Sequence, residues 1–204
     1  MCGRFTITAS PEDLQSAFPW LDAIESFPAS YNVAPSQPIP VVPNDGQNRM
    51  TFFSWGLVPY WAKDPKIGYK MINARSETIH EKPAYKNAFK RRRCIVLASG
   101  FYEWSKSPGS KTKQPWYFTL KDDTPMGLAG IWETWEGPDG SFIKSASIIT
   151  TEPNEVVRKV HGRMPVILKP EHHLDWLAPG EKAPRDLAHM LSTYAAEEMK
   201  SHAV

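Results

Sequence analysis

Apolar and polar residues alternate over short stretches along much of the chain, which is the period of a β-strand with one buried face. The pattern is densest in the middle of the chain. It predicts strands at Cys94–Ala98, Phe101–Ser105, Trp116–Lys121, Met126–Glu133 and Phe142–Thr150. The connections between these strands are short, which favours antiparallel neighbours. We therefore expect a fold in which an antiparallel sheet is the main element.

The two flanking parts of the chain mix short strands with short helices. Ser10 followed by Pro11 is typical of a helix start, with Ser10 as N-cap, and predicts a helix to about Phe18. Strands are predicted at Gly3–Thr8, Ile39–Pro43, Met50–Trp55 and Val166–Leu168. Further helices are predicted from Thr151 to about Val160, over 170–177 and within 186–199. Tyr31–Pro35 and 56–77 lack periodicity and predict extended or irregular segments.

Length and composition narrow the function classes. The chain has 204 residues, enough for one domain, and a net charge of +2, so a nucleic-acid site would have to be a local basic patch. Two cysteines without an apolar leader indicate a reducing, cytoplasmic setting without disulfides. No apolar run approaches the length of a membrane span, so we expect no membrane partner.

Cys2 is the candidate with the most distinctive chemistry. If Met1 is removed, Cys2 carries an amine and a thiol on adjacent carbons, a 1,2-aminothiol. The amine condenses with an aldehyde to a Schiff base, and the thiol then closes a five-membered thiazolidine ring. The reference pKa values, about 8 for the amine and about 8.5 for the thiol, leave part of each group reactive near neutral pH. The alternative is a ragged terminus with a buried, inert thiol.

Glu103 stands in an aromatic strand, Phe101–Trp104, where a carboxylate is costly unless it has a partner. Strand alternation places Tyr102 and Trp104 on one face and Phe101 with Glu103 on the other. In a cavity, desolvation would raise the pKa of Glu103 and make it a general acid. On an exposed edge strand it would be an ordinary surface residue. The pattern leaves both interpretations open.

His161 precedes a Gly-Arg-Met-Pro turn that tends to present side chains, and histidine suits acid–base work near neutral pH. Asn73 can donate and accept hydrogen bonds at once, and Arg75 offers a planar guanidinium suited to phosphate. Arg4 and Arg163 lie one or two residues from Cys2 and His161. These arginines favour an anionic, phosphate-bearing substrate, although each residue alone is also an ordinary surface or structural group.

Metal and nucleotide motifs are not found in the sequence. His172 and His173 are adjacent, so on a helix they face different directions, and no pair of Cys or His has zinc spacing. The sequence also has no P-loop, GxGxxG or GxSxG. We expect neither a metal nor a cofactor.

Six ordered motifs together resemble the SRAP family of SOS response-associated peptidases, or abasic site processing proteins. The motifs are Met1–Phe5, Tyr31–Pro35, Trp55–Pro59 with Trp61, Ile72–Thr78, Gly100–Trp104 and His161–Pro165. The resemblance runs from residue 1 to about residue 200. It implies an α+β single domain over 1–204, with a central, mostly antiparallel, barrel-like β-sheet flanked by short helices.

The resemblance also implies a function and a set of site residues. The family recognises abasic sites in single-stranded DNA and links its N-terminal cysteine covalently to the ring-opened sugar, as part of DNA repair. By matching motif, the implied catalytic residues are Cys2, Asn73, Glu103 and His161, and the implied DNA contacts are Arg4, Asn32, Trp61, Arg75 and Arg163. The expected partner is single-stranded DNA with abasic sites, bound by a monomer associated with the nucleoid.

Two departures and two alternative functions accompany this interpretation. His161 is followed by Gly162 where many relatives carry Asp, and the family usually continues beyond Val204 with a further tail that covers a sheet edge. The first alternative is an N-terminal-nucleophile cysteine peptidase or amidohydrolase, whose simplest reaction would be removal of Met1. The second is a non-covalent module that binds single-stranded or modified nucleic acid.

Overall fold

Two β-sheets form the body of the computed structural model, which describes residues 2–22, 26–106 and 112–204. The strands are β1 Phe5–Ile7, β2 Ser30–Val33, β3 Pro38–Pro43, β4 Thr51–Trp55, β5 Asn73–Arg75, β6 Arg93–Ala98, β7 Gly100–Lys106, β8 Lys113–Leu120, β9 Met126–Glu136, β10 Phe142–Thr151, β11 Met164–Pro165 and β12 Met199–Ala203. Met1 lies outside the described residues.

The larger sheet closes on itself. It has seven strands, in the order β11-β10-β4-β3-β6-β9 with β5 also paired to β10, and β9 pairs back with β10. The strands β10, β4, β3, β6 and β9 therefore form a barrel-like ring without free edges. Most pairings are antiparallel, while β10 runs parallel to β4 and β5. The expected fold class, α+β with a mostly antiparallel, barrel-like sheet, is confirmed.

The smaller sheet is open and has five strands in the order β12-β8-β7-β1-β2. Phe5 of β1 lies opposite Phe101 of β7, and Phe101 in turn lies opposite Phe118 of β8. The Phe101 and Phe118 rings stack 5.1 Å apart, and Phe5 contacts the Trp55 ring of the larger sheet edge-on at 5.2 Å. All four side chains are buried, so the two sheets share one apolar core.

Short helices connect the strands. The helices are α1 Pro11–Ala17, α2 Lys86–Arg91, α3 Glu155–Arg158, α4 His173–Trp176 and α5 Pro184–Leu187, with 3-10 helices at Pro65–Lys70, Pro170–His172, Ala188–Leu191 and Ala196–Glu198. Ser10 caps α1 as predicted: its side chain accepts a hydrogen bond from the Asp13 backbone, and Asp13 accepts one from the Ser10 backbone. Such a cap stabilises a helix by about 1 kcal/mol. No helix in the described part of the chain is both long and apolar enough to cross a membrane.

Several predicted elements were wrong. Tyr31–Pro35 is not a loop throughout, because Ser30–Val33 pairs with β1 as β2. Asn154, rather than Thr151, caps α3, and Val166–Leu168 forms only a single bridge beside the two-residue β11. Met199, the last residue of the region predicted to be helical, instead begins β12, which pairs with β8 over five residues. The strands β2 and β12 are determined by pairing with strands distant in sequence, which local pattern does not reveal.

Candidate functional site

Cys2 is buried beside β1 and is not in a disulfide. Its backbone carbonyl accepts a hydrogen bond of 2.9 Å from Nδ2 of Asn73. Burial raises the pKa of the Cys2 thiol, and the nearby negative charge of Glu103 raises it further. The sulfur is therefore held as a thiol in the folded protein, and a neighbouring base must take its proton before it can act as a nucleophile.

Asn73 begins β5, which pairs parallel with β10 so that Asn73 lies beside Ile148. The Asn73 backbone carbonyl accepts a hydrogen bond from the Tyr85 hydroxyl at 3.2 Å. The side-chain Oδ1 of Asn73 is buried and has no hydrogen-bond partner within residues 2–22, 26–106 and 112–204. The Asn73 amide thus holds the Cys2 backbone through Nδ2 and offers Oδ1 as a hydrogen-bond acceptor.

Glu103 faces inward from β7 and is only 3% exposed. Its neighbours on that face are Phe101 and, across the strand pair, Trp116. Burial raises the pKa of the Glu103 carboxyl, and the nearby His161 partly opposes the rise. The structure thus decides between the two interpretations left open above: Glu103 is buried and not an exposed edge residue.

His161 comes from a distant part of the chain, three residues after the end of α3. Its Nδ1 lies 3.6 Å from Oε1 of Glu103. The same Nδ1 accepts a hydrogen bond of 3.1 Å from the backbone N–H of Arg163, which orients the ring. An acid and an imidazole that are 58 residues apart in sequence therefore form one polar pair in space.

Arg163 is held by partners that the sequence analysis missed. Its guanidinium makes two hydrogen bonds to the Glu77 carboxylate, of 2.6 and 2.9 Å, and one of 2.7 Å to the carbonyl of Thr150. The Arg163 hydrogen bonds lower the pKa of Glu77. This bidentate pair anchors the turn that carries His161. Glu77 stands within the Ile72–Thr78 motif, two residues after Arg75. The motif was therefore a signal that Glu77 belongs to the site, but it did not indicate the ion pair with Arg163.

The predicted DNA contacts are only partly brought together. Arg4 donates a 2.8 Å hydrogen bond to Asn32, so two of the predicted DNA contacts lie together beside β1 and β2. Arg75 is exposed on β5, and its backbone neighbour on β10 is Thr150, the residue that also holds Arg163. Trp61 is 50% exposed on the irregular segment 56–64. Within the described residues, no hydrogen bond or ring contact joins Trp61 to the others.

No group of three or more His, Cys, Asp or Glu side chains could hold a metal ion in residues 2–22, 26–106 and 112–204. His172 and His173 do face different directions: the His172 ring contacts His189, whereas the His173 ring packs on Phe18. The expectation that no metal takes part stays a prediction.

The fold and this grouping define an α+β protein with a barrel-like sheet and a cysteine buried beside a glutamate and an asparagine. The motifs, their order and their placement in space point to one family. The chain belongs to the SOS response associated peptidase (SRAP) family, whose model matches residues 1–204. The resemblance drawn from the six sequence motifs is thereby confirmed.

Similar proteins match all or most of the chain. The abasic site processing protein YoaM of Bacillus subtilis is 46% identical over 210 residues, covering 100% of this chain and 91% of YoaM. The abasic site processing protein HMCES of Xenopus tropicalis is 30% identical over 231 residues, covering 91% of this chain and 68% of HMCES. A crystal structure of a Bacteroides thetaiotaomicron protein superimposes with a TM-score of 0.86 at 27% identity, covering 100% of this chain and 92% of that one.

Proposed function

We propose that this protein senses abasic sites in single-stranded DNA and forms a covalent thiazolidine crosslink to the lesion through Cys2, once Met1 has been removed. The observation that carries the proposal is the convergence of Cys2, Asn73, Glu103 and His161 at one place. The names of the relatives YoaM and HMCES, both abasic site processing proteins, support the same substrate.

The first half of the reaction is Schiff-base formation. An abasic deoxyribose is partly an open aldehyde, and the Cys2 amine adds to its carbonyl carbon. Glu103 in its acid form protonates the hydroxyl of the adduct, which leaves as water, and an iminium ion and a Glu103 carboxylate remain. The raised pKa of Glu103, caused by burial, keeps more of this acid form at neutral pH than a solvated glutamate would have.

The second half of the reaction is ring closure. The Cys2 sulfur bonds to the iminium carbon, and the thiol proton passes to the Glu103 carboxylate, which regenerates the acid. The iminium nitrogen keeps its hydrogen and becomes the ring amine, so one water is the only by-product. Glu103 thus serves as acid and then as base, with His161 at 3.6 Å assisting the proton movements.

The remaining residues position the partners. Asn73 holds the Cys2 backbone and offers Oδ1 to a hydrogen-bond donor of the sugar. Arg4, Asn32 and Arg75 contact phosphates, and Trp61 meets bases, so binding depends on salt and tolerates any sequence. Arg163 holds the His161 turn, and a phosphate would have to compete with Glu77 for its guanidinium.

Three secondary activities belong to the same proposal. The Schiff base can undergo β-elimination before the ring closes, which gives a weak lyase activity. Reversal of the crosslink runs through the same acid–base steps. Self-catalysed removal of Met1 is the peptidase-like step: the Cys2 sulfur attacks the Met1 carbonyl, the Met1–Cys2 amide bond breaks to give a thioester and the free Cys2 amine, and water hydrolyses the thioester to methionine and the Cys2 thiol.

One gel experiment tests the proposal. The protein is incubated with a single-stranded oligonucleotide that carries one abasic site, and an SDS-resistant band is sought. We expect the band with the native protein and with Cys94→Ala, which removes the other buried thiol, and none with Cys2→Ala. Intact mass spectrometry of the band should show loss of Met1 and gain of the oligonucleotide minus one water. An equal band from Cys2→Ala contradicts the proposal, and turnover of a peptide without DNA favours the peptidase alternative.

A further inference from the structure

The five-stranded sheet carries a row of aromatic rings on the face opposite Glu103. Tyr102 of β7 lies across from Tyr117 of β8, with ring centroids 4.9 Å apart, and Tyr117 lies across from His202 of β12 at 5.7 Å. Trp104 continues the row along β7, 6.4 Å from Tyr102. We call Tyr102, Trp104, Tyr117 and His202 the aromatic row.

The aromatic row is not part of the apolar core. Trp116, whose side chain points to the other face of β8, packs against the core cluster, whereas Tyr102, Trp104 and Tyr117 do not belong to it. The three are half-buried, and His202 is exposed. Large rings that lie side by side on a sheet face and keep part of their surface exposed are typical of an interaction surface.

Tyr117 and Tyr102 are held in place by contacts at their edges. The Tyr117 hydroxyl lies 2.7 Å from Oγ1 of Thr6, and the Tyr102 hydroxyl donates a hydrogen bond of 3.2 Å to the carbonyl of Tyr31. The Tyr117 ring passes over Gly100, where an added Cβ would lie only 2.5 Å from the ring. A side chain at residue 100 would displace Tyr117, so glycine here keeps the ring flat against the sheet. The row is preorganised, which lowers the entropy cost of binding.

The charges on this face are positive. Strand alternation places Lys106 of β7 and its cross-strand partner Lys113 of β8 on the same face as the aromatic row. Arg4 lies next to Tyr102, whose backbone N–H donates to the Arg4 carbonyl at 2.9 Å. The outward positions of β7 and β8 carry no Asp or Glu from 102 to 106 or from 113 to 119. Lys200 on β12 is paired with Asp123 and contributes less.

We propose that this face binds the unpaired DNA strand that runs away from the lesion, with bases stacked on the aromatic row and phosphates next to Arg4, Lys106 and Lys113. The inference rests on the proposed function, since it extends the path of the same strand. Arg4 and Asn32 lie at the border between the row and the Cys2 group, so they connect the two sites. Three adjacent strands span about 10 Å, enough for two or three bases.

Rings beside Lys106 and Lys113 suit single-stranded nucleic acid better than a protein partner. Asp123, the carboxylate near Tyr117, is paired with Lys200. Every base has a face that can stack, so binding of this kind tolerates any sequence. The salt dependence follows from displaced counterions, to which each lysine contributes. The surface therefore adds affinity for the flanking strand but does not select the lesion, which remains the task of the Cys2 group.

A binding experiment with undamaged DNA tests the inference by itself. Fluorescence anisotropy measures the Kd for labelled thymidine oligonucleotides of about four and about twenty nucleotides, which bracket the usual site sizes. For the long one we expect Kd to rise at least about fivefold in the double variant Trp104→Ala, His202→Ala. Phe142→Ala, which removes a 65% exposed ring from the other sheet, is the control and should leave Kd unchanged. An unchanged Kd in the double variant overturns the inference and leaves the face to a protein partner.

Two further measurements separate this inference from the proposed function. Lys113→Glu should lower the slope of log Kd against log salt by about one, a change that misfolding would not produce, and circular dichroism checks the fold. The double variant should still form the SDS-resistant band on an abasic oligonucleotide of about four nucleotides. If the native protein forms no band, the proposed function fails. If the band forms but the double variant binds long DNA like the native protein, only the inference fails.

Discussion

Two buried glutamates, one in each sheet, show what separates a structural carboxylate from a reactive one. Glu103 on β7 is 3% exposed and Glu133 on β9 is 5% exposed. Burial raises the pKa of both. Glu133 binds Nη2 of Arg92 at 2.6 Å and accepts a hydrogen bond from the Thr134 backbone. In contrast, Oε1 of Glu103 lies 3.6 Å from Nδ1 of His161, and the negative charge of Glu103 raises the pKa of the nearby Cys2 thiol.

The neighbouring side chain, and not the degree of burial, distinguishes the structural carboxylate of Glu133 from the reactive carboxylate of Glu103. A guanidinium stays charged at all accessible pH values, so the Arg92 charge opposes the rise in the pKa of Glu133, and the two side chains form a fixed ion pair. Histidine and thiol side chains can give up or take a proton, so a carboxyl beside them can exchange one. A raised pKa therefore marks a candidate acid only when the neighbouring groups can themselves exchange a proton.

The strongest test of this contrast replaces each glutamate by its amide. Glu103→Gln should slow both formation and reversal of the crosslink by about 100-fold, because the amide can neither donate nor accept the transferred proton. Glu133→Gln should change the rate less than about threefold. Quenched time points on the abasic oligonucleotide, separated by denaturing gel, measure both rates. Equal losses in the two variants would show that Glu103 acts only through the fold, as would a large loss of DNA affinity in Glu103→Gln.

A second test weakens the position of His161 without touching it. Glu77→Ala removes the bidentate partner of Arg163 and should loosen the turn that carries His161. We expect crosslinking to slow by about tenfold, in the maximal rate more than in DNA affinity, because positioning acts on the chemical step. Glu181→Ala, which breaks the exposed ion pair with Arg91, is the control and should leave the rate unchanged. A Glu77→Asp variant that does not recover part of the rate would argue against positioning.

The smallest expected effect is on stability. Burial raises the pKa of both glutamates, so ionisation of either one costs stability as pH rises, and the two amide substitutions differ in the partner that they leave behind. A folded-state pKa above the unfolded value means that the folded protein holds the proton more tightly, so Glu103 costs stability as pH rises above about 4.3. Glu103→Gln removes this cost and should raise Tm at pH 7 by a few degrees, about 1 kcal/mol, with the difference vanishing near pH 4. Glu133→Gln should lower Tm by a similar amount, since Arg92 loses its anion. Calorimetry at pH values from about 4 to 7 measures the Tm of both variants. A lower Tm for Glu103→Gln than for the native protein at pH 7 would contradict the proposed difference between the two glutamates.

Much of the fold was predictable where the two-residue period of a strand, or a capping residue at a helix start, is visible in the local sequence. The five strands of the middle region and the Ser10-capped helix α1 occur as predicted, within a few residues at each end. The alternation in β7 was also predicted, since Phe101 and Glu103 are buried while Tyr102 and Trp104 are half-exposed. These features depend on residues that are neighbours in sequence, so a period of two is enough to predict them.

The site was predictable only as a list of residues. The motifs named Cys2, Asn73, Glu103 and His161, but not the 3.6 Å approach of His161 to Glu103 or the anchoring of Arg163 by Glu77. The strands β2 and β12 were missed for the same reason, because each exists through pairing with a strand far along the chain. Contacts of this kind depend on how the sheets are paired and closed.

The amino-acid sequence alone specifies the chemical groups of the site: an aminothiol once Met1 is removed, an acid in an aromatic strand and a histidine at a turn. The burial of the acid, its position beside an imidazole rather than an arginine, and its electrostatic effect on the Cys2 thiol follow from the folded structure. The physical reason is that a side chain's pKa and reactivity depend on desolvation and on neighbouring charges, and both arise only when distant segments pack together.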